Sequence, residues 1–295
     1  MTSAECSTAS ALNQASVSRT FMVMATLPTL IDSHAHLFRE DFGEEVDAVL
    51  DRARLAGIVA IVVPGTNLET SEEAVALSEK HHDVFACVGF HPHEASKSDA
   101  GSLRKIEELS HHPKVVAIGE IGLDFHYDFS PRPDQRRVFR TQLELAMARQ
   151  LPVVVHTRES IRESIDMVRE QGGETGSLRG VFHCFTGTPS EAEELFRMGF
   201  LISAGGMVTF KNSPTTTLIR ALSLANVIAE TDTPYLAPVP LRGSRNEPGF
   251  LVHIIRKMAE LCDLTTEAAA ELTSANARRL FRIEAAFAGM MHKEG

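Results

Sequence analysis

From Leu30 onward the chain repeats one unit eight times: a short apolar, β-branched stretch, then a segment whose apolar residues recur with helical spacing. The stretches are Leu30–His36, Ile58–Val63, Val84–Gly89, Val115–Glu120, Pro152–His156, Gly180–Cys184, Phe200–Ala204 and Asn226–Glu230. Their first residues run from 30 to 226, so the seven intervals average 28 residues, the length of a strand plus its crossover helix. Between them, Glu44–Ala56 puts Val46, Val49, Leu50 and Ala53 on one helical stripe. Asp134–Gln150 does the same after the breaker Ser130-Pro131-Arg132-Pro133. The connections Leu68–Lys80, Ser102–Ser110, Ser160–Glu170, Ser190–Met198, Pro214–Leu224 and Phe250–Cys262 read likewise, and Thr265–Phe281 adds a last helix.

Apolar strands alternating with helices require a parallel sheet covered on its outer face. Eight such units predict an α/β fold, a single (β/α)8 TIM barrel with one extra C-terminal helix. The expected domain runs over residues 30–285, with a tail at 286–295. Residues 1–29 hold ten Ser or Thr and only Glu5 and Arg19 as charges, and read as a disordered or over-long extension with Met22 or Met24 as alternative starts. Apolar runs such as Gly57–Val63 fall far short of the roughly 18 residues that a membrane span needs. Four cysteines (Cys6, Cys87, Cys184, Cys262) in no CxxC spacing suit a reducing compartment, and with no export signal visible the expected location is cytoplasmic. No stable protein partner is expected. Absent Trp and 6% aromatics argue against a carbohydrate groove or a stacking platform for single strands. The balance of 29 basic against 39 acidic residues argues against a protein that coats long nucleic acid.

A barrel of this kind keeps its chemistry at the C-terminal ends of its strands. The first strand ends Asp32-Ser33-His34-Ala35-His36, where period-two alternation puts Asp32, His34 and His36 on one face. Burying two imidazoles and a carboxylate together is expensive without a counter-charge, which a divalent cation supplies. Glu120 ends the fourth stretch, His156 the fifth, His183 the sixth, and Glu230 with Asp232 the eighth. So many histidines and carboxylates exceed the need of one tetrahedral ion and imply two divalent ions per subunit. Nitrogen and oxygen donors suit Zn²⁺, Mn²⁺, Fe²⁺ or Co²⁺ and leave Mg²⁺ open. Cys184 is expected to face away from them.

These residues sit in stretches that resemble the TatD family of metal-dependent hydrolases, a branch of the amidohydrolase-like barrels. The matching runs are Ile31–His36, Gly89–His93, Ile118–Asp124, Pro152–Arg158, His183–Gly187, Glu230–Pro238 and Arg242–Pro248, and together they span roughly Leu30 to Phe281. The resemblance implies that His34, His36 and Asp232 hold one metal, His156 and His183 a second, and that Glu120 bridges them. It assigns Glu230 to a further ion or to orienting water, and His91 to substrate phosphate or proton transfer. Asp32 is expected to orient a histidine or the bridging site, and His93 and His126 to edge the cleft. Arg158, Arg242 and Asn246 are the candidate substrate contacts, with a loop ion pair to Glu247 as the bland reading of Arg242.

The expected chemistry is hydrolysis by a metal-acidified water, with Asp232 taking its proton. The resemblance implies a deoxyribonuclease, a 3′-to-5′ exonuclease on DNA or RNA ends. A metal-dependent ester or amide hydrolase, such as an aminoacyl-tRNA deacylase, uses the same ligands and stays open at this stage, as does a small phosphodiester substrate.

Overall fold

The computed structural model describes residues 29–283, so the Ser/Thr-rich segment up to residue 28 and the tail 286–295 lie outside the described residues. Eight parallel strands pair in chain order: β1 (Leu30–Asp32), β2 (Ile58–Pro64), β3 (Val84–Val88), β4 (Val115–Asp124), β5 (Val153–Arg158), β6 (Gly180–Phe182), β7 (Leu201–Ala204) and β8 (Val227–Ala229). The β1–β8 seam is closed by the N–H groups of Ser33, His36 and Asp232, which donate to the carbonyls of Ala229 (3.1 Å), Thr233 (2.7 Å) and His34 (2.9 Å). The (β/α)8 barrel expected from the repeat is the fold observed.

A short α1 (Arg39–Phe42) and α2 (Val46–Leu55) follow β1. One helix follows each later strand: α3 (Leu68–Lys80), α4 (Ala100–Leu109), α5 (Arg132–Arg149), α6 (Ile161–Val168), α7 (Pro189–Arg197), α8 (Pro214–Leu222) and α9 (Leu251–Leu261). The extra helix is α10 (Thr266–Phe281). The helices start where local chemistry tells them to. Asn67, Asp99 and Thr188 each cap a helix while the residue three places on caps the cap's own N–H in return.

Strand alternation sorts the core into two layers. One set of side chains packs between strands and helices, including Ile61, Val63, Ala86, Val88 and Val155. The other fills the barrel's interior: Ile31, Ala60, Val62, Phe85, Cys87, Val116, Val154, Val181 and Ile228. Leu280, Phe281 and Ile283, at the end of α10, join this interior layer. α10 packs on β1 and β8, and Ser274 donates to the carbonyl of Thr29 (3.0 Å) just before β1, so this plug lies at the barrel's N-terminal mouth.

Two strands differ from the expected bounds where they matter. The β1 ladder stops at Asp32, because beyond it the chain pairs irregularly with β2, through the Val62 carbonyl, and with the segment after β8. β4 runs on to Asp124, with a bulge that sets Ile118–Ile121 against Val153–Val155 and leaves Glu120 in the extra length.

Candidate metal centre

The ends of β1, β3, β4, β5, β6 and β8 each deliver one or two donors to a common point above the interior layer. His34 Nε2 and His36 Nε2 lie 3.1 Å apart. They face Glu120 Oε2 at 3.3 and 3.5 Å and Asp232 Oδ1 at 3.8 and 3.7 Å. The other oxygen of Glu120, Oε1, faces His156 Nδ1 at 2.9 Å and His183 Nε2 at 3.0 Å. One carboxylate thus spans two pairs of imidazoles. Glu120 is 3% exposed, and its own N–H donates to the Gly65 carbonyl after β2 (2.8 Å), which holds the bulge in place.

Three overlapping groups each bring three donor atoms within 4.8 Å of one another: His34, His36 and Asp232; His34, Glu120 and His183; and His91, Glu120 and His156. The third gives His91 a place the sequence had not: its Nε2 lies 3.6 Å from Glu120 Oε1. Nitrogen and carboxylate donors of this kind, buried and convergent with no thiolate among them, fit a divalent cation.

The electrostatics follow from burial. Burial, with His34 alongside, pushes the His36 pKa down to about 3, leaving a neutral imidazole with a free lone pair. Burial pushes Asp232 up to about 6 although His183 and His34 oppose it. For Glu120, burial is outweighed by His183, His34 and His91 and by the hydrogen bond from His156, which together hold it well below the usual carboxylate range. His183 is raised well above an ordinary histidine, because Glu120 and Glu230 outweigh its burial.

Several expected residues take different positions. The Asp32 carboxylate does not share the cluster. It accepts from the Thr231 N–H (2.9 Å) and hydroxyl (2.6 Å) and from the His34 N–H, so it ties β1 to the segment after β8 and orients backbone where a ring had been expected. Burial pushes it up to about 8 despite these bonds. Glu230 lies behind His183: its Oε1 accepts from the Cys184 N–H (2.7 Å) and sits 3.6 Å from His183 Nδ1, on the ring nitrogen opposite the one facing Glu120. It therefore positions His183, and no contact joins it to the Nε2 atoms of His34 and His36.

Asn246, expected at substrate, is fully buried, and its amide donates to the carbonyls of Thr231 (2.8 Å) and Tyr235 (2.6 Å). A short amide in a Gly- and Ser-containing loop looks like surface in sequence; here it pins the loop that carries Asp232. Asn246→Ala should lower stability by about 1–3 kcal/mol, read as a lower melting temperature, since two buried carbonyls lose their donors. Glu247 pairs with Arg52 through two 2.7 Å bonds and not with Arg242. Arg242 instead lies over the Phe210 ring at 3.8 Å, and Arg158 over Tyr127 at 4.7 Å. Both are exposed and neither has a carboxylate partner among the described residues.

One residue escaped the sequence reading of roles. Asp124, 1% exposed at the true end of β4, accepts from His93 Nε2 (2.8 Å) and meets His156 Nε2 at 3.3 Å. It orients the ring whose other nitrogen faces Glu120. Burial acts to raise Asp124, but the hydrogen bonds of His156, His93 and the Tyr127 N–H more than offset it and hold it low.

A closed parallel barrel with histidines and carboxylates gathered at the C-terminal strand ends defines a class, the metal-dependent barrel hydrolases. The sequence model of the TatD related DNase family matches residues 31–282. A Bacillus subtilis protein named as the uncharacterized metal-dependent hydrolase YabD is 40% identical, over 86% of this chain and 99% of its own. The 3′-5′ ssDNA/RNA exonuclease TatD of Musicola paradisiaca is 36% identical over 86% of this chain and 98% of its own. The crystal structure of YJJV, a TatD homologue from Escherichia coli, superposes with a TM-score of 0.81 at 30% identity, covering 87% of this chain and 99% of that one. This chain belongs to the TatD family of metal-dependent hydrolases.

Proposed function

We propose that this hydrolase is a phosphodiesterase that removes nucleotides from the 3′ end of single-stranded DNA or RNA. The observation that carries the reading is the Glu120 carboxylate, whose two oxygens face two separate pairs of imidazoles. Relatives named as 3′-5′ ssDNA/RNA exonucleases support the substrate class.

Two divalent ions suit this donor set: His34, His36 and Asp232 would hold one, His156 and His183 would hold the other, and Glu120 would serve both. When bound, such ions supply an acidified water and offset the charge of a phosphate. The chain's own groups do the rest. Asp232, at the lip of the cluster, takes the proton of the attacking water on its carboxylate and returns it to the leaving 3′ oxygen. His91 lies beside the cluster, within reach of a non-bridging phosphate oxygen. Arg158, on the rim, offers a planar fork to the next phosphate, and Arg242 offers a second cation.

The test is a labelled single-stranded oligonucleotide incubated with Mn²⁺, Mg²⁺ or Zn²⁺, beside aminoacyl-tRNA. Stepwise shortening from the 3′ end is expected. An intact strand together with release of the amino acid would replace this reading with an ester hydrolase.

The net charge of −10 limits how the strand is held. With only a few cations at the mouth, about two or three phosphates are contacted. The log–log slope of kcat/KM against salt should then be about −2, and a slope several times steeper would contradict contact confined to an end.

A further inference from the structure

We propose that Tyr127 and Phe129, on the loop after β4, form a platform that stacks one unpaired nucleobase of the strand whose end occupies the cluster. The inference rests on the phosphodiesterase reading above and adds how the strand is recognised.

The two rings lie face to face, with centroids 5.3 Å apart and planes 24° from parallel. They are 38% and 65% exposed, whereas Phe85, Phe139, Phe182, Phe185 and Phe200 are fully buried. Nor is the loop a loose flap. At one end Asp124 accepts from the N–H groups of His126 (2.9 Å) and Tyr127 (3.1 Å). At the other, the Ser130 hydroxyl donates to the His93 carbonyl (2.7 Å) and accepts from the Ser96 N–H (3.0 Å). The chain anchors both ends of a short segment and leaves two large rings in water between them. An apolar surface held rigid and uncovered is a binding surface.

Its position names the ligand. The His93 ring lies 4.8 Å from Phe129 and 5.6 Å from Tyr127, and on its other side 4.3 Å from His91, whose Nε2 faces Glu120. A single imidazole therefore separates the platform from His91, the residue placed beside the reacting phosphate. Arg158 sits over the Tyr127 ring with its charge unpaired among the described residues. A ring face beside a free guanidinium and a phosphate site matches a nucleotide, with its flat base and its anion, better than an apolar peptide side chain. A base outside a duplex presents such a face without unstacking a neighbour, which favours single-stranded or frayed ends. The low aromatic content of the chain excludes a surface that tracks many bases; two rings suffice for one.

The experiment compares a short labelled single strand with copies carrying an abasic residue at each 3′-terminal position in turn. Binding is followed by fluorescence anisotropy and turnover with Mn²⁺. For the unaltered protein, one of these positions should weaken binding and kcat/KM by about 5- to 150-fold when its base is missing. The double variant Tyr127→Ala/Phe129→Ala should lose that discrimination, and Phe129→Trp should keep it, with melting temperatures unchanged in both. Equal handling of complete and abasic strands by the unaltered protein would overturn the platform and leave the phosphodiesterase reading standing. So would discrimination that survives in the double variant. A protein that neither binds nor cuts any strand would remove both.

Discussion

Glu120→Ala should lower hydrolysis by about a thousandfold or more while the barrel stays folded. Changing a residue that merely orients a metal ligand costs about 10- to 100-fold. Glu120 stands closer than that: both of its oxygens face imidazoles, His34 and His36 just after β1, His156 in β5 and His183 just after β6. Its loss leaves the two pairs without a shared anion, so bound metal measured on the purified variant should fall along with turnover. Glu120→Gln keeps the shape and removes the charge, and it should fail for the same reason. The fold should survive because the residue lies above the interior layer of Ile31, Val116 and Val154, whose packing does not involve it. Far-ultraviolet circular dichroism and the melting temperature test that half of the prediction. Full turnover by Glu120→Ala with metal supplied would show that the bridge is elsewhere.

Gly122→Ala is expected to be strongly destabilising. Gly122 has φ +143°, a conformation that residues with a side chain rarely adopt, and an added Cβ would stand 2.1 Å from the carbonyl oxygen of His156. Gly122 and His156 are also register partners across β4 and β5. The methyl therefore drives apart the two strands that carry Glu120 and His156. Backbone strain and overpacking together amount to about 3–5 kcal/mol, a fall in melting temperature on the order of 10 °C. Activity should drop even at temperatures where the variant is folded. Gly199→Ala separates the two contributions, since Gly199 has φ +79° but nothing within 4 Å of its Cβ position. It should show the strain alone. A Gly122→Ala variant as stable as its parent would mean that β4 and β5 do not approach as described.

Periodicity made the barrel legible, because every strand is buried on both faces and reads as an apolar run, while every crossover helix carries one stripe. The donors were legible for a related reason. A histidine or carboxylate that ends an apolar run has nowhere to go but the strand's open end, and His34, His36, Glu120, His156, His183 and Asp232 do meet there. What the pattern hid were departures from regular strand geometry. With the fourth stretch ended at Glu120, Asp124 was given no role; the bulge around Glu120 carries β4 four residues further, to an Asp124 that meets His156. Likewise the alternation assumed for Asp32 fails because the β1 ladder stops there and the carboxylate binds Thr231. Asn246 was misread because burial of a loop amide depends on carbonyls from Thr231 and Tyr235 that no local pattern announces.

Leu280, Phe281 and Ile283 cork one end of the barrel, below a buried apolar layer of strand side chains. The cluster is therefore the floor of a blind vessel. On the proposed function, ions, attacking water, strand end and released nucleotide would all use the mouth at the C-terminal strand ends. For the proposed substrate that imposes an order on traffic: ions would be seated before a strand arrives, and a seated strand would shut them in until its product leaves.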